Sequence, residues 1–297
     1  MERSVFAFKW PSMRITSPNL IDRRIMDHVF GKDVRPVVAG TRYVTSKLKK
    51  NGILLQNKEI RSHIPPTRSF TVKRFQTMLR RYGMVYLKPV HGLKGIGIMR
   101  AEKTGRAYRL RQGVTAVRFR SFRELRHHVV RRIRRKSYLV QRGIWTLRSG
   151  GRPFDFRIMV QLNERKKWEV TGIVARVAPP NRIVTNRSQG GQCLPASRVL
   201  RSSMRKPQAA RYQAFLFSLS RKIGKQFRKG YPRAWQLGVD VAVGRNRKAW
   251  ILEVNTNPAV TPFVVLGNRR MYKRMLQLVR LHTKGTKQKM AKTVEDG

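Results

Sequence analysis

The chain has 297 residues, and 67 Lys and Arg against 14 Asp and Glu give it a formal net charge of +53. Its hydrophobic content of 40% is ordinary for a globular protein, so we expect a folded chain long enough for two subdomains. One cysteine, Cys193, excludes an internal disulfide and a cysteine-rich metal site. No apolar run approaches the roughly 20 residues of a membrane span. Composition therefore predicts a soluble, cytoplasmic protein whose charge favours anionic partners without naming one.

The first 60 residues are expected to form an N-terminal segment. Within it the sequence predicts a short amphipathic helix over 19–31 and a helix end with a turn at 45–52, broken at Asn51 and Gly52. Past the two prolines at 65–66, Thr71 is typical of a helix N-cap and Gly83 of a helix end. A strand over 84–90 is expected next.

A glycine-rich run follows that strand, over residues 91–99. Its glycines allow backbone N–H groups to converge on an anion, and Lys88 and Lys94 add positive charge for phosphate oxygens. No helix pattern follows, which argues against a Walker-type loop. The alternative interpretation is a plain glycine-rich turn between two strands.

The middle of the chain continues with strands over 107–111 and 113–120. A capping box at Ser121 and Glu124 then predicts a helix to about residue 136, with a basic outer face that we interpret as solvated. We expect further strands over 137–145, 154–161 and 168–177. The alternation in the second of these three strands places Asp155 and Arg157 on one face.

The last third begins with a long helix predicted over 207–229. A β-hairpin over 237–258 comes next, and its turn falls at Gly244–Arg247. A final amphipathic helix precedes a polar tail, which the sequence predicts to be disordered from residue 284.

The hairpin carries the clearest site pattern. Folding between Asn246 and Arg247 sets Asp240 opposite Glu253, with Asn255 two residues further along the same face. The other face is predicted to hold three apolar pairs: Val239 with Val254, Val241 with Leu252, and Val243 with Trp250. Facing carboxylates repel, and two carboxylates with an amide are oxygen ligands that suit Mg²⁺. The alternative is a surface hairpin with solvated acids.

Five motifs in order resemble the ATP-grasp superfamily. They are the strand at 86–89, the glycine loop at 91–98, the segment 138–144, the Phe154–Arg157 run, and Asp240 followed by 253–258. The runs at 64–67 and 86–98 and the segment from Asn186 to Gly191 are similar to the YheC/YheD family, ATP-grasp proteins associated with endospore coats. The match covers roughly residues 60–285.

The resemblance implies an α+β fold in which two subdomains clamp ATP between antiparallel sheets. The first lobe is expected over 61–142 and the second over 143–285, followed by a tail over 286–297. The resemblance implies that ATP is bound by the lysines, glycines and linker residues Lys88, Lys94, Gly95, Gly97, Gln141, Arg142, Gly143 and Ile144. It places Arg157, Arg176 and Asn186 over the γ-phosphate as catalytic residues, and Asp240, Glu253 and Asn255 on Mg²⁺.

Two features depart from the family pattern. Gln141 stands where many ATP-grasp ligases carry a carboxylate, and only about 60 residues precede the clamp. The leading hypothesis is an ATP- and Mg²⁺-dependent ligase that joins a carboxylate, through an acyl-phosphate, to an amine or thiol; spore association follows from the resemblance. The alternatives are a protein that binds nucleic acid or another polyanion, and a structural coat protein with a non-catalytic nucleotide clamp.

Overall fold

Residues 67–142 build a first antiparallel sheet. The computed structural model describes residues 46–91, 95–134, 136–180, 185 and 191–295, with side chains to residue 283. The strands of the first sheet are β1 (Thr67–Ser69), β2 (Met84–Pro89), β3 (Met99–Thr104), β4 (Ala107–Gln112), β5 (Thr115–Phe119) and β6 (Tyr138–Arg142). Their order is β1-β6-β2-β3-β4-β5, and every pairing is antiparallel.

Two helices cover one face of this sheet. Helix α3 (Val72–Tyr82) begins at Thr71, whose Oγ1 accepts a hydrogen bond from the Arg74 N–H at 3.1 Å, and ends at the left-handed Gly83. Helix α4 (Phe122–Ile133) begins at Ser121, as the capping box predicts. The core beneath them contains Phe75, Leu79, Val85, Leu87, Leu125 and Val129. Val130 of α4 lies outside this core and is 44% exposed.

A second sheet follows with β7 (Arg148–Ser149), β8 (Arg152–Leu162), β9 (Trp168–Val177), β10 (Gln192–Leu194), β11 (Gln236–Val243) and β12 (Ala249–Asn255). Its order is β10-β9-β8-β11-β12, with β7 paired to β8. The helices outside the two covering the first sheet are α1 (Lys47–Leu55), α2 (Lys58–Ser62), α5 (Ala196–Arg201), α6 (Lys206–Gly230), α7 (Thr261–Val265) and α8 (Arg269–Glu295). Within the described chain, no helix has the length and apolar character needed to cross a membrane.

The second core includes residues that precede the first sheet. Leu54 of α1 and Ile60 of α2 are buried with β8, β9, β11 and α6. Gln226 of α6 donates a hydrogen bond to the Ile53 carbonyl at 2.9 Å. The predicted helix break at Asn51 and Gly52 is therefore wrong, because α1 continues through both residues and packs its last turn against α6.

The hairpin of β11 and β12 confirms part of the predicted register and corrects the rest. Val239 pairs with Val254, and Asp240 pairs with Glu253, as expected. Beyond Asp240 the register shifts by one residue, so that Val241 pairs with Ile251 and the predicted pairs with Leu252 and Trp250 do not form. A β-bulge explains the shift, since one extra residue on one strand leaves every later pair offset.

The C-terminal helix extends further than the sequence indicates. A disordered tail is predicted from residue 284, whereas α8 continues to Glu295. The segment lacks proline, and seven of the twelve residues over 284–295 are Lys, Gln, Met or Ala, which are good helix formers. The buried part of α8, with Tyr272, Met275 and Leu278, provides the start from which this helix continues.

Candidate functional site

A cleft is lined by residues from both sheets and from α1. Its lining comprises three residues of α1, four of the first sheet and three of β12: Lys47, Lys50 and Asn51; Thr67, Lys88, Leu139 and Gln141; Leu252, Glu253 and Val254. Lys88 and Gln141, which are predicted to bind ATP, therefore meet Glu253, which is predicted to bind the metal. Their separation along the chain exceeds 150 residues between Lys88 and Glu253.

Lys88 reaches the cleft because side chains alternate along β2. It lies opposite Leu139 of β6, and its neighbours Leu87 and Val85 point into the core beneath α3. Burial lowers the pKa of Lys88 below its usual value, although the carboxylate of Glu253 acts in the opposite direction. A lysine desolvated in this way gains most from an anionic ligand that restores its charged form.

Two lysines that the sequence analysis did not assign to the site share the cleft. Lys50 is only 5% exposed, and its Nζ lies 3.8 Å from Oε1 of Glu253; the Nζ of Lys47 lies 3.9 Å from the same oxygen. Burial lowers the pKa of Lys50, again against the effect of Glu253. The sequence could have indicated these residues through their spacing. With Ser46 as the N-cap, Lys47, Lys50 and Asn51 lie on one face of a helix.

The predicted catalytic arginines lie in a buried charged network on the second sheet. Arg157 of β8 donates two hydrogen bonds to the carboxylate of Asp240, its partner on β11. Arg176 of β9 donates to both oxygens of Asp155, at 2.7 and 2.8 Å, and its Nη2 lies 3.1 Å from Asp240 Oδ2. All four side chains are buried. Strand order alone brings them together, because β9, β8 and β11 are neighbours.

The network favours the charged forms of Asp240 and Arg176. Burial works against the charged form of Asp240, but Arg157 and Arg176 outweigh it and lower the pKa of that carboxyl group. Burial likewise opposes the charged form of Arg176, and Asp155 and Asp240 together raise its pKa. A guanidinium has five N–H donors, so both arginines keep donors beyond those that bind the carboxylates.

A glycine allows this network to pack against the end of the hairpin. Gly238 precedes Asp240 by two residues and lies opposite Asn255. A Cβ at Gly238 would lie 2.6 Å from Cβ of Pro258 and 3.4 Å from Cδ of Arg157. Glycine therefore lets the segment after β12 return onto the arginine side of the sheet.

The linker at 141–144 is only partly placed as expected. Gln141 is buried in the cleft and donates a hydrogen bond to Thr67 Oγ1 at 3.0 Å. The N–H groups of Arg142 and Gly143 bind the carbonyls of Pro66 and Met84, both at 2.8 Å.

The side chain of Arg142 does not line the cleft. Its guanidinium carbon lies 5.1 Å from the ring centre of Tyr82 and 5.0 Å from that of Trp250, a cation–π arrangement between residues that precede and follow the linker. Adenine recognition by this linker stays a prediction.

The glycine loop is described from residue 95 onward. Gly95 and Gly97 have φ of 76° each, which a residue with a side chain rarely adopts, and the Tyr138 hydroxyl donates to the Gly97 carbonyl at 3.1 Å. Lys94 and Asn186 lie outside the described residues, so their predicted roles are untested. Asn255 ends β12 on the strand that carries Glu253.

Comparison with known proteins gives the family. The sequence pattern described as "YheC/D like ATP-grasp" matches residues 38–282. The chain belongs to the YheC/D-like ATP-grasp family.

The curated relatives come from Bacillus subtilis (strain 168). The endospore coat-associated protein YheD is 24% identical over 213 residues, which are 68% of this chain and 45% of YheD. The endospore coat-associated protein YheC is 24% identical over 106 residues, 36% of this chain and 29% of YheC. The chain thus spans less than half the length of these relatives.

Solved structures are similar at low sequence identity. The D-alanyl-alanine synthetase A of Vibrio cholerae O1 biovar eltor str. N16961 has a TM-score of 0.49 and 11% identity, covering 81% of this chain and 65% of that one. The D-alanine-D-alanine ligase of Coxiella burnetii has a TM-score of 0.44 and 14% identity, covering 85% and 62%. The family assignment of this ATP-grasp protein rests on the match of its sequence over residues 38–282.

Proposed function

We propose that this ATP-grasp protein is an ATP- and Mg²⁺-dependent ligase that activates a carboxylate. The observation that supports it best is the cleft in which Lys47, Lys50 and Lys88 surround Glu253. Three ammonium groups and one carboxylate leave an excess of positive charge in a partly desolvated space, which suits a polyphosphate. The cleft receives residues from both sheets, as a nucleotide clamp requires.

The donor set of the hairpin fits Mg²⁺ with one restriction. Glu253 has its nearest cations 3.8 and 3.9 Å away, beyond hydrogen-bond distance, and Asn255 follows it on the same strand. Asp240 already accepts three contacts from Arg157 and Arg176, so one lone pair of Oδ1 remains for a metal. Glu253 and Asn255 would therefore hold the ion, with Asp240 as a single-oxygen ligand. When bound, Mg²⁺ neutralises phosphate charge.

The chain's own residues supply orientation and charge for the reaction. In the proposed steps a substrate carboxylate attacks the γ-phosphorus of ATP, ADP leaves, and an acyl-phosphate forms; an amine or thiol then displaces phosphate. Lys88 and Lys50 balance phosphate charge, and the remaining N–H donors of Arg157 and Arg176 stabilise the transferred group. Because those arginines are held by Asp155 and Asp240, they are oriented before the substrate binds.

Calorimetry with ATP, with and without Mg²⁺, tests the proposal. We expect Glu253→Gln to remove the Mg²⁺-dependent part of the affinity and Lys88→Gln to weaken binding about 10- to 100-fold, the scale of one charged hydrogen bond. Glu59→Gln is the matched control, since Glu59 is an exposed carboxylate paired with Lys222 on another helix. Undetectable ATP binding by the wild type, or equal affinities in all four proteins, would contradict it.

Turnover needs a separate measurement. Hydroxylamine intercepts acyl-phosphates as hydroxamates, so a mixture of amino acids with ATP, Mg²⁺ and hydroxylamine is the probe. Hydroxamate from the wild type but not from Glu253→Gln supports a ligase; ATP binding without hydroxamate for any acid tried favours a non-catalytic clamp. The names of the two curated relatives extend the proposal to spore association, which fractionation of spores into coat and core tests.

A further inference from the structure

The outer surface of α3 and α4 lies on the far side of the first sheet from the cleft. Phe75 and Leu79 of α3 and Leu125 and Val129 of α4 pack on one face of that sheet. Lys88 lies on the opposite face, since it follows the buried Leu87 in β2. A ligand on the outer surface of these helices would not occupy the cleft.

This surface carries eight exposed cations, which we call the helical basic layer: Lys73, Arg74, Arg80 and Arg81 of α3, with Arg123, Arg126, Arg131 and Arg132 of α4. The two helices contain one acid, Glu124, and its carboxylate accepts hydrogen bonds from the Arg120 N–H and the Ser121 hydroxyl. Within the described part of the chain, no carboxylate lies within ion-pair distance of any of the eight.

Other basic helices of the protein meet carboxylates. Lys222 of α6 pairs with Glu59, and Arg274 of α8 binds both Glu164 and Glu169. The helical basic layer differs because none of its eight cations forms an ion pair with a carboxylate among the described residues. Concentrated charge of one sign on a flat surface attracts a polyanion and disfavours a neutral partner.

The chemistry of the layer favours a duplex nucleic acid among polyanions. Seven of its eight cations are arginines, whose guanidinium groups bind phosphate in a bidentate manner. A duplex presents about one phosphate charge per 1.7 Å of axis, and α4 is about 18 Å long, so several cations reach phosphates at once. The Phe and Tyr residues of the two helices, Phe75, Tyr82 and Phe122, are buried or half-buried, so the layer exposes no Phe, Tyr or Trp ring on which single-strand bases would stack.

We propose that the helical basic layer binds the phosphate backbone of double-stranded nucleic acid without reading its sequence. The ring centres of Phe75 in α3 and Phe122 in α4 lie 5.4 Å apart, so the two helices are neighbours and, at about 10–12 Å diameter each, form a surface about 20 Å wide. Binding is then governed by release of counterions, and it weakens steeply as salt rises.

Fluorescence anisotropy with a labelled 20-base-pair DNA duplex, titrated between 50 and 300 mM KCl, tests this proposal. The test variant is Arg123→Gln/Arg126→Gln/Arg131→Gln. The matched control is Arg221→Gln/Lys225→Gln/Lys229→Gln, which removes the same charge from the exposed face of α6. Thermal unfolding of both variants checks that they fold.

We expect the test variant to bind at least 10-fold more weakly at 100 mM KCl and to lower the slope of log K against log salt by about 2 to 3, as loss of three phosphate contacts requires. The control variant should stay within 3-fold of wild type. Equal weakening by both variants would overturn the proposal, since it would show diffuse attraction to the total charge. Competition by poly-glutamate as effective as unlabelled duplex at equal charge would assign the layer to acidic polypeptides instead.

Discussion

The two sheets carry their charged residues in different ways. On the second sheet, Asp155 and Asp240 meet Arg157 and Arg176, so that two acids balance two bases in a buried network. On the first sheet, a single buried acid, Glu102, faces three arginines. Glu102 binds Arg100 at 2.9 Å and Arg109 at 2.8 Å. Arg111 has no carboxylate within ion-pair distance among the described residues.

The comparison shows that the balance of acids and bases decides whether polar side chains on a sheet satisfy one another. A balanced network holds its side chains in place without any ligand, as a site with fixed geometry needs. In the unbalanced cluster, the Nε atoms of Arg100 and Arg111 are buried and have no hydrogen-bond partner among the described residues. We therefore expect substitutions in the two clusters to change the free energy of unfolding by different amounts and even in opposite directions.

The largest loss of stability is expected from Arg176→Gln. Glutamine leaves Asp155 and Asp240 buried with one guanidinium between them, and breaking a buried ion pair by removing one partner costs about 3–5 kcal/mol. Urea unfolding of the variant and of the wild type measures the loss. Arg80→Gln, an exposed arginine in the helical basic layer, is the control and should change stability by less than about 0.5 kcal/mol. A loss below about 1 kcal/mol for Arg176→Gln would show that the network is not the rigid element we infer.

A smaller loss is expected from Glu102→Gln. Arg100 and Arg109 then lose the carboxylate that they share, and an unsatisfied buried group costs about 1–3 kcal/mol. Added sulfate should recover part of the loss, because an anion can replace the missing carboxylate among three arginines. Glu59→Gln serves as the control, since its exposed pair with Lys222 is worth about 1 kcal/mol at most and sulfate should stabilise this variant no more than it stabilises the wild type. Equal losses of stability in Glu102→Gln and Glu59→Gln would show that Glu102 contributes no more than an exposed ion pair.

Because Lys88 lies in the cleft between the two sheets, we expect ATP affinity to depend on pH. Burial lowers the pKa of Lys88 from the ordinary value of 10.5, and a bound phosphate raises it again. Between those two values the free lysine is partly neutral, so binding takes up protons and affinity falls as pH rises. We expect ATP affinity to fall as the pH rises toward 10.5, by at most about 10-fold per pH unit for one proton taken up, one pKa unit being 1.36 kcal/mol.

Calorimetry in two buffers of different ionisation enthalpy measures the proton uptake directly. Lys88→Gln should reduce both the uptake and the pH dependence, while Lys103→Gln, an exposed lysine of β3, should retain both. Proton release on binding, or an affinity that rises with pH, would contradict the inference that Lys88 meets phosphate.

Local sequence patterns predicted much of this fold because several of its determinants are local. The caps at Thr71 and Ser121 are confirmed by their hydrogen bonds. The pairing of Asp240 with Glu253 is confirmed, since alternation in two strands around a short turn suffices to predict it. The α+β fold with two antiparallel sheets, which the resemblance implied, is confirmed and agrees with the family match.

The remaining features depend on packing between distant residues. The break expected at Gly52 does not occur because Leu54, two residues later, is buried in the second core. The bulge at Leu252 is set by how β12 meets its neighbours, which the alternation of its own residues does not reveal. The placement of Lys50 beside Glu253 joins segments about 200 residues apart, and neither segment alone indicates the other.

The smallest change in the free energy of unfolding, and one of opposite sign to those of Arg176→Gln and Glu102→Gln, is expected from Arg111→Gln. Desolvation lowers the pKa of Arg111, and the neighbouring Arg100 and Arg109 lower it further, so the charged side chain is repelled where it lies. Glutamine removes that repulsion, and the free energy of unfolding should stay unchanged or rise by up to about 1 kcal/mol, the scale of a partly exposed charge interaction. The gain should be larger at 20 mM salt than at 500 mM, where screening weakens the repulsion. A loss above about 1 kcal/mol would mean that Arg111 holds the sheet together as Arg176 does, and the contrast between the two polar faces would then lie in exposure alone and not in charge balance.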